Sequence, residues 1–176
     1  MGKFSFKHFS ELITNTLKLR LPHFGDSKSM YHKRTNKKIN KLISIKIPQS
    51  IAETTKFIAE LNNRFYDKKN IFWVIVSKEY NQVIGSIGYQ NFNNNFSYAE
   101  IGYELHPDLH KKGFMNESCE AVINFGLHTM NLKIIEAFTH KDNEASKALL
   151  KKHQFVFQTK RREKGFENNR IFKLKK

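Results

Sequence analysis

Leu17, Leu19 and Leu21 alternate with Lys18 and Arg20 and stop at Pro22, which predicts a half-buried strand over residues 16–21. The basic stretch 28–46 has a weak pattern and reads as a short helix and a loop. Ser50 and Glu53 then form a capping box, and Ile51, Thr55, Ile58, Leu61 and Phe65 recur at helical spacing, so a helix starts there and ends near Phe65. Three β-rich segments follow, 71–78, 82–92 and 96–105, separated by Glu79-Tyr80-Asn81 and Asn93-Asn94-Asn95. They predict an antiparallel meander. Met115, Cys119, Val122, Ile123, Gly126, Leu127 and Met130 mark one face of a helix over 115–130. A strand over 133–139, a helix over 144–152 and strands over 155–159 and 170–174 complete an α/β or α+β order with a mixed sheet.

The 176 residues suit one domain, and sixteen Phe with one Trp supply core volume. No repeat or linker interrupts the chain. Its formal charge of +15 invites a nucleic-acid reading. The charge is carried by 25 Lys and only 6 Arg, beside 17 Asn and 16 Ile, which AT-rich coding alone produces; codon bias is the weightier explanation. A lone Cys119 forms no internal disulfide and no cysteine zinc cluster, so a reducing cytoplasmic setting is expected. No apolar run exceeds the six residues 71–76, so no membrane span is expected. His106 and His110 have a helical zinc spacing, but Pro107 stands between them, and no metal is expected.

Candidate chemistry concentrates in residues 100–118. A strand ending Glu104-Leu105-His106 enters a turn at Pro107, then the loop His110-Lys111-Lys112-Gly113-Phe114-Met115, which opens onto a helix. Free backbone N–H groups and the positive end of the helix dipole converge there with Lys111 and Lys112, as an anion site requires. Gly113 permits close approach or a positive φ. These features also fit an ordinary strand-to-helix connection with solvated lysines. Walker A and G-x-G-x-x-G patterns are absent.

The same segment resembles the acetyl-CoA signature of the GNAT N-acetyltransferases. Its flanks, Glu100-Ile-Gly-Tyr-Glu-Leu-His-Pro107, Asn116-Glu117-Ser118 and Asn124-Phe-Gly126, are similar to the RimJ/RimL-type branch, as are Asp142-Asn143-Glu144-Ala145-Ser146, Leu149-Leu150 and Phe155. The resemblance covers 14 to about 174 and leaves 1–13 as an N-terminal extension. It implies a mostly antiparallel sheet flanked by helices, acetyl-CoA as co-substrate, and a primary amine as acceptor, a protein N-terminal α-amine among the candidates. It also implies pyrophosphate binding by the amides of the 110–115 loop, an oxyanion donor near Leu105 and His106, and a cofactor-side role for Asn143 with Ser146. Three departures stand out: His110 replaces Arg or Gln, Lys111 replaces Gly, and Met115 replaces a small residue and is expected to turn into the core.

Direct attack needs a neutral amine. Tyr98, Glu100, Gly102 and Glu104 share one strand face, making Glu104 the first candidate base and Glu100 the second; each also reads as a solvated or lysine-paired carboxylate. Where the family often carries a Tyr to protonate the departing thiolate, this chain has Leu150, so water or Tyr103 is the remaining donor. Two other functions fit the sequence: a basic RNA- or ribosome-associated module with little turnover, and acetylation of a small amine such as a polyamine, amino acid or drug. The acceptor, and whether the chain is a monomer or homodimer, are open at this stage.

Overall fold

A computed structural model describes residues 4–36, 39 and 46–176. Eight strands form one sheet in the order β1-β2-β3-β4-β5-β6-β8-β7: β1 (Leu12–Ile13), β2 (Leu17–Arg20), β3 (Asn70–Ser77), β4 (Gln82–Gln90), β5 (Tyr98–Leu105), β6 (Ile134–His140), β7 (Val156–Phe157) and β8 (Asn169–Lys175). Every pair is antiparallel except β5 with β6. The expected meander is β3-β4-β5. Helices α1 (Ser27–Arg34) and α2 (Ile51–Tyr66) cover one face, and α3 (Phe114–Asn124) and α4 (Glu144–Lys152) the other.

Strand β3 shows why the sheet needs both layers. Ile71, Trp73 and Ile75 point into the core shared with Cys119, Val122 and Leu150, whereas Val74 and Val76 pack with Met30, Ile58 and Leu61. The capping box at the start of α2 forms: Ser50 Oγ accepts from Glu53 N at 3.2 Å, and Glu53 Oε2 accepts from Gln49 N at 3.0 Å. The start of α1 is fixed from β2, where Arg20 grips Asp26 through two bonds of 2.7 and 2.8 Å. That clamp directs Lys33 and Arg34 toward the middle of the sheet. Residues 37, 38 and 40–45, and with them Lys37, Lys38 and Lys41, lie outside the described residues.

Two sequence expectations change. The helix expected over 115–130 is α-helical only to Asn124 and continues as a π-helical turn, Phe125–Thr129. The Tyr89 hydroxyl donates to the Val122 carbonyl at 2.9 Å and occupies the space a side chain at Gly126 would need, so the last turn widens around it. The strand expected over 155–159 shrinks to Val156–Phe157. Ahead of β1, residues 4–10 pack against the core: Phe4 meets Phe125, Phe6 and Phe9 meet Phe65, and Trp73 Nε1 donates to the Ser10 carbonyl at 2.8 Å. Among the described residues, no helix is long and apolar enough to cross a membrane, and no three His, Cys, Asp or Glu side chains group as metal ligands.

Candidate active site

The site begins where the sheet comes apart. β5 pairs with β6 only at Tyr98, Ala99 and Glu100. Beyond Glu100, β5 continues with β4 to Leu105, while β6 continues with β8 to His140. The two halves of the sheet therefore diverge and open a gap. His106 N–H donates to the Ile84 carbonyl at 2.9 Å, and hydrogen-bonded and non-bonded pairs alternate along an antiparallel ladder. At Leu105 the amide consequently points away from β4, into the gap. Of the two amides expected near the thioester, that of His106 is committed to β4 and that of Leu105 is available.

The loop after β5 is shaped for an anion. Lys111 has φ +63° and Gly113 has φ +88°, two left-handed residues that turn the chain into α3. Among the described residues, the amides from Lys111 to Asn116 find no main-chain acceptor, as the first turn of a helix dictates for those within it. A Cβ on Gly113 would meet no atom within 4 Å, so the mouth of the loop is open. Phe114 is buried and Met115 packs against the core, leaving Lys111 and Lys112 exposed beside the amides. His110 Nε2 lies 3.2 Å from the Leu105 carbonyl, tying the loop to the strand. Glu117, also in the first turn of α3, accepts from Thr16 N at 2.8 Å and Thr16 Oγ1 at 2.6 Å and fixes the helix to β2.

On the α1–α2 face, a cleft of about 930 Å³ lies over the gap. Gly88 and Gly102 are register partners on its floor. Gly88 is required because a Cβ would strike the Ile71 carbonyl, whereas a Cβ on Gly102 would meet nothing within 4 Å. Glu104 sits at the inner end, buried, with Lys33 Nζ at 3.2 Å and the Ser86 hydroxyl donating at 3.1 Å. Lys33 is itself buried, and charge holds the pair. Burial works to raise the Glu104 pKa, but the Lys33 and Arg34 charges and the Ser86 bond outweigh it, and the carboxyl is held below its ordinary value. Glu100 behaves oppositely. Burial and the like charges of Glu163 and Glu136 raise its pKa despite hydrogen bonds from Asn91 at 2.8 Å and Tyr98 at 3.3 Å.

On the other side of the gap, Asn143 caps α4, its Oδ1 accepting from Ser146 N at 3.1 Å. The Tyr103 hydroxyl crosses from β5 to lie 2.9 Å from Ser146 Oγ, and burial pushes its pKa up. Leu150, one turn along α4, is buried in the core. Tyr103 thus places a hydroxyl on the helix turn next to the leucine. Cys119 is buried with its thiol pKa raised by desolvation. The sequence reading missed Lys33, Arg34, Ser86 and Glu163. Only Gly102, isolated within a strand, carried a local hint of the hollow.

The acetyltransferase (GNAT) domain family matches residues 16–156. The chain is 29% identical over 147 residues to the uncharacterized N-acetyltransferase YoaA of Bacillus subtilis, covering 84% of this chain and 83% of that protein. Among solved structures, the ribosomal-protein-S5-alanine acetyltransferase of Vibrio fischeri superposes with a TM-score of 0.82 at 18% identity, over 94% of this chain and 96% of that one. RimL, a ribosomal L7/L12 α-N-protein acetyltransferase solved with coenzyme A, gives 0.79 at 16% identity, over 94% and 98%. A diverging parallel pair beside an amide-lined helix start, in a chain matched over most of its length by that one family, identifies this protein as an acetyltransferase of the GNAT family.

Proposed function

We propose that the chain transfers the acetyl group of acetyl-CoA to a primary amine by direct attack. The observation that carries this reading is the gap between β5 and β6, which joins the open amides at 111–116 on one side to the cleft on the other. The pyrophosphate would lie on those amides, with Lys111, Lys112 and the α3 dipole adding positive potential. Asn143 and Ser146 would line the cofactor's path through the gap.

The thioester oxygen gains charge when the amine attacks, and Leu105 N–H is aimed where that oxygen would lie. Lys33 and Arg34 lie beside Glu104 at the inner end of the cleft and hold its carboxyl below the ordinary value. Their positive potential disfavours an ammonium and favours the neutral, nucleophilic amine. Glu104 is the carboxylate at the reaction centre: it receives the N–H of the attacking nitrogen directly or through water and stabilises the charge formed there. Its depressed pKa makes water the final carrier of the proton. Collapse of the intermediate breaks the C–S bond, and the Tyr103–Ser146 hydroxyl pair delivers a proton to the thiolate.

The test is release of free coenzyme A thiol from acetyl-CoA with a panel of peptides and small amines, run beside Glu104→Gln. Turnover with at least one amine, reduced in the variant, is expected. Absence of any rise in melting temperature at millimolar acetyl-CoA would overturn the reading.

A further inference from the structure

The cleft gathers carboxylates that are scarce in the molecule as a whole. The chain carries +15, yet among the described residues Glu100, Glu104, Glu163 and Glu167 line the cleft beside Arg34, Lys46 and Arg64, with Lys33 against Glu104. The charges are also sorted along its length. At the inner end, Glu104 stands beside the positive charges of Lys33 and Arg34. At the outer end, Glu100 feels Glu163 and Glu136 as like charges, while the cations nearest Glu136, Arg161 and Lys173, are engaged by it. Lys46 and Arg64 are exposed and stand at the rim.

Between the two ends runs the trough over Gly102, where no side chain rises from the floor. Glu100 and Glu104 are four residues apart on β5, about 13 Å at the rise of an extended strand. A second feature at the outer end asks for a donor. Asn70 is only 4% exposed, lines the cleft, and its Oδ1 has no hydrogen-bond partner among the described residues. Register links Asn70 to Gln90 and Gln90 to Glu100, so that oxygen shares the outer row with the carboxylate. A carboxylate pair and an unpartnered amide oxygen suit a group with several N–H donors and a positive charge.

We propose that the acceptor is a flexible amine carrying a second cationic nitrogen about 13 Å from the reacting one. Its far nitrogen is held by Glu100, Glu163 and Asn70 while its near nitrogen is acetylated beside Glu104. The inference rests on the acetyl-transfer reading above and adds the class of acceptor. Two sources share this chemistry: a free polyamine, and a peptide amino terminus followed by a basic residue.

The experiment measures thiol release from acetyl-CoA with diaminoalkanes from diaminopropane to diaminododecane, with butylamine, with spermidine, and with tetrapeptides ending in Lys or Glu. Wild type and the isosteric Glu100→Gln/Glu163→Gln double variant are compared, and calorimetric titration of spermidine into both is run with coenzyme A present. The specificity constant is expected to climb with diamine length and then level off. The double variant should raise KM for the long diamines roughly tenfold more than it raises KM for butylamine. Spermidine outperforming the Lys tetrapeptide names the free polyamine; the reverse order names the peptide. Equal use of butylamine and long diamines, preference for the Glu tetrapeptide, or an equal loss on both amines in the variant would overturn the proposal. If acetyl-CoA binds but nothing is acetylated, the transfer reading fails and the titration decides alone. Spermidine binding weakened in the variant sustains the acceptor site, and no binding to wild type removes it.

Discussion

Gly113 separates the backbone demands of the cofactor loop from its electrostatics. Its φ of +88° costs any L-residue about 1–2 kcal/mol, and a Cβ there meets no atom within 4 Å. Gly113→Ala should therefore lower the melting temperature through the backbone alone, by roughly 2–8 °C for a chain of this size. Gly113→Glu carries the same backbone cost, but its carboxylate sits at the start of α3 and recovers about 0.3–1 kcal/mol from the helix dipole. Without ligand, the Glu variant should melt at or slightly above the Ala variant.

Acetyl-CoA should reverse that order. A carboxylate about 6 Å from a phosphate charge, at an effective dielectric between about 20 and 80, is repelled by roughly 0.7–3 kcal/mol. The loss of affinity is then from about threefold to over a hundredfold. At a ligand concentration of about 100 times Kd, wild type gains roughly 2.7 kcal/mol, and a tenfold weaker site gains about half of that. The assay is thermal unfolding of both variants across an acetyl-CoA titration. Equal ligand-induced shifts in the two variants would show that the carboxylate never meets the phosphates, and the 111–116 amides would lose their assigned role.

The remaining predictions probe the cleft, the proton donor and the core. Gly102→Leu fills open floor, so acetyl-CoA-induced stabilisation should persist while thiol release with large amines falls at least roughly tenfold; unchanged kinetics would place the acceptor elsewhere. Tyr103→Phe removes the hydroxyl at Ser146 and should slow turnover roughly tenfold or more, with a smaller penalty for a thioester whose thiol is more acidic; a penalty independent of the leaving group refutes proton donation. The Glu104 pKa is depressed in the fold, so its ionisation stabilises above the unfolded carboxylate pKa and that stability is lost as pH falls through the folded value. Urea unfolding of Glu104→Gln should therefore lose less stability than wild type on acidification, and parallel curves would count against the Lys33 pairing. Cys119 is buried with a raised pKa, so thiol reagents should label it only on the timescale of unfolding, and rapid native labelling would contradict the packing.

Local signals made much of this structure legible. The Ser50–Glu53 capping box and the spacing from Ile51 to Phe65 announce α2, and it spans Ile51–Tyr66. The Asn-rich turns announce the meander, and the single glycine before an amphipathic run marks the start of α3. What escaped depends on residues far apart in the chain. The widened turn after Asn124 is imposed by Tyr89, which bonds Val122 across 33 residues. Glu104 is paired by Lys33, from a stretch whose pattern was too weak to orient. The loop carrying Glu163 and Glu167 also holds Lys160, Arg161, Arg162 and Lys164 and reads as basic; folding turns the carboxylates to the cleft and binds Arg161 to Glu136.

The same distinction locates the chemistry. A parallel pair sustained over only three residues is a poor way to hold a sheet together, yet each partner is secured on its other edge by a long antiparallel ladder. The sheet therefore tolerates the gap, at the cost of leaving strand amides without strand partners. A buried amide left dry costs about as much as a lost hydrogen bond, so Leu105 N–H requires water or a ligand, and in the proposed reaction an acetyl oxygen would answer that need. The 111–116 amides at the start of α3 need an acceptor in the same way. Overall basicity decides neither need: the proposed anion site depends on backbone direction, and the proposed acceptor end depends on carboxylates that a +15 chain gathers into one cleft.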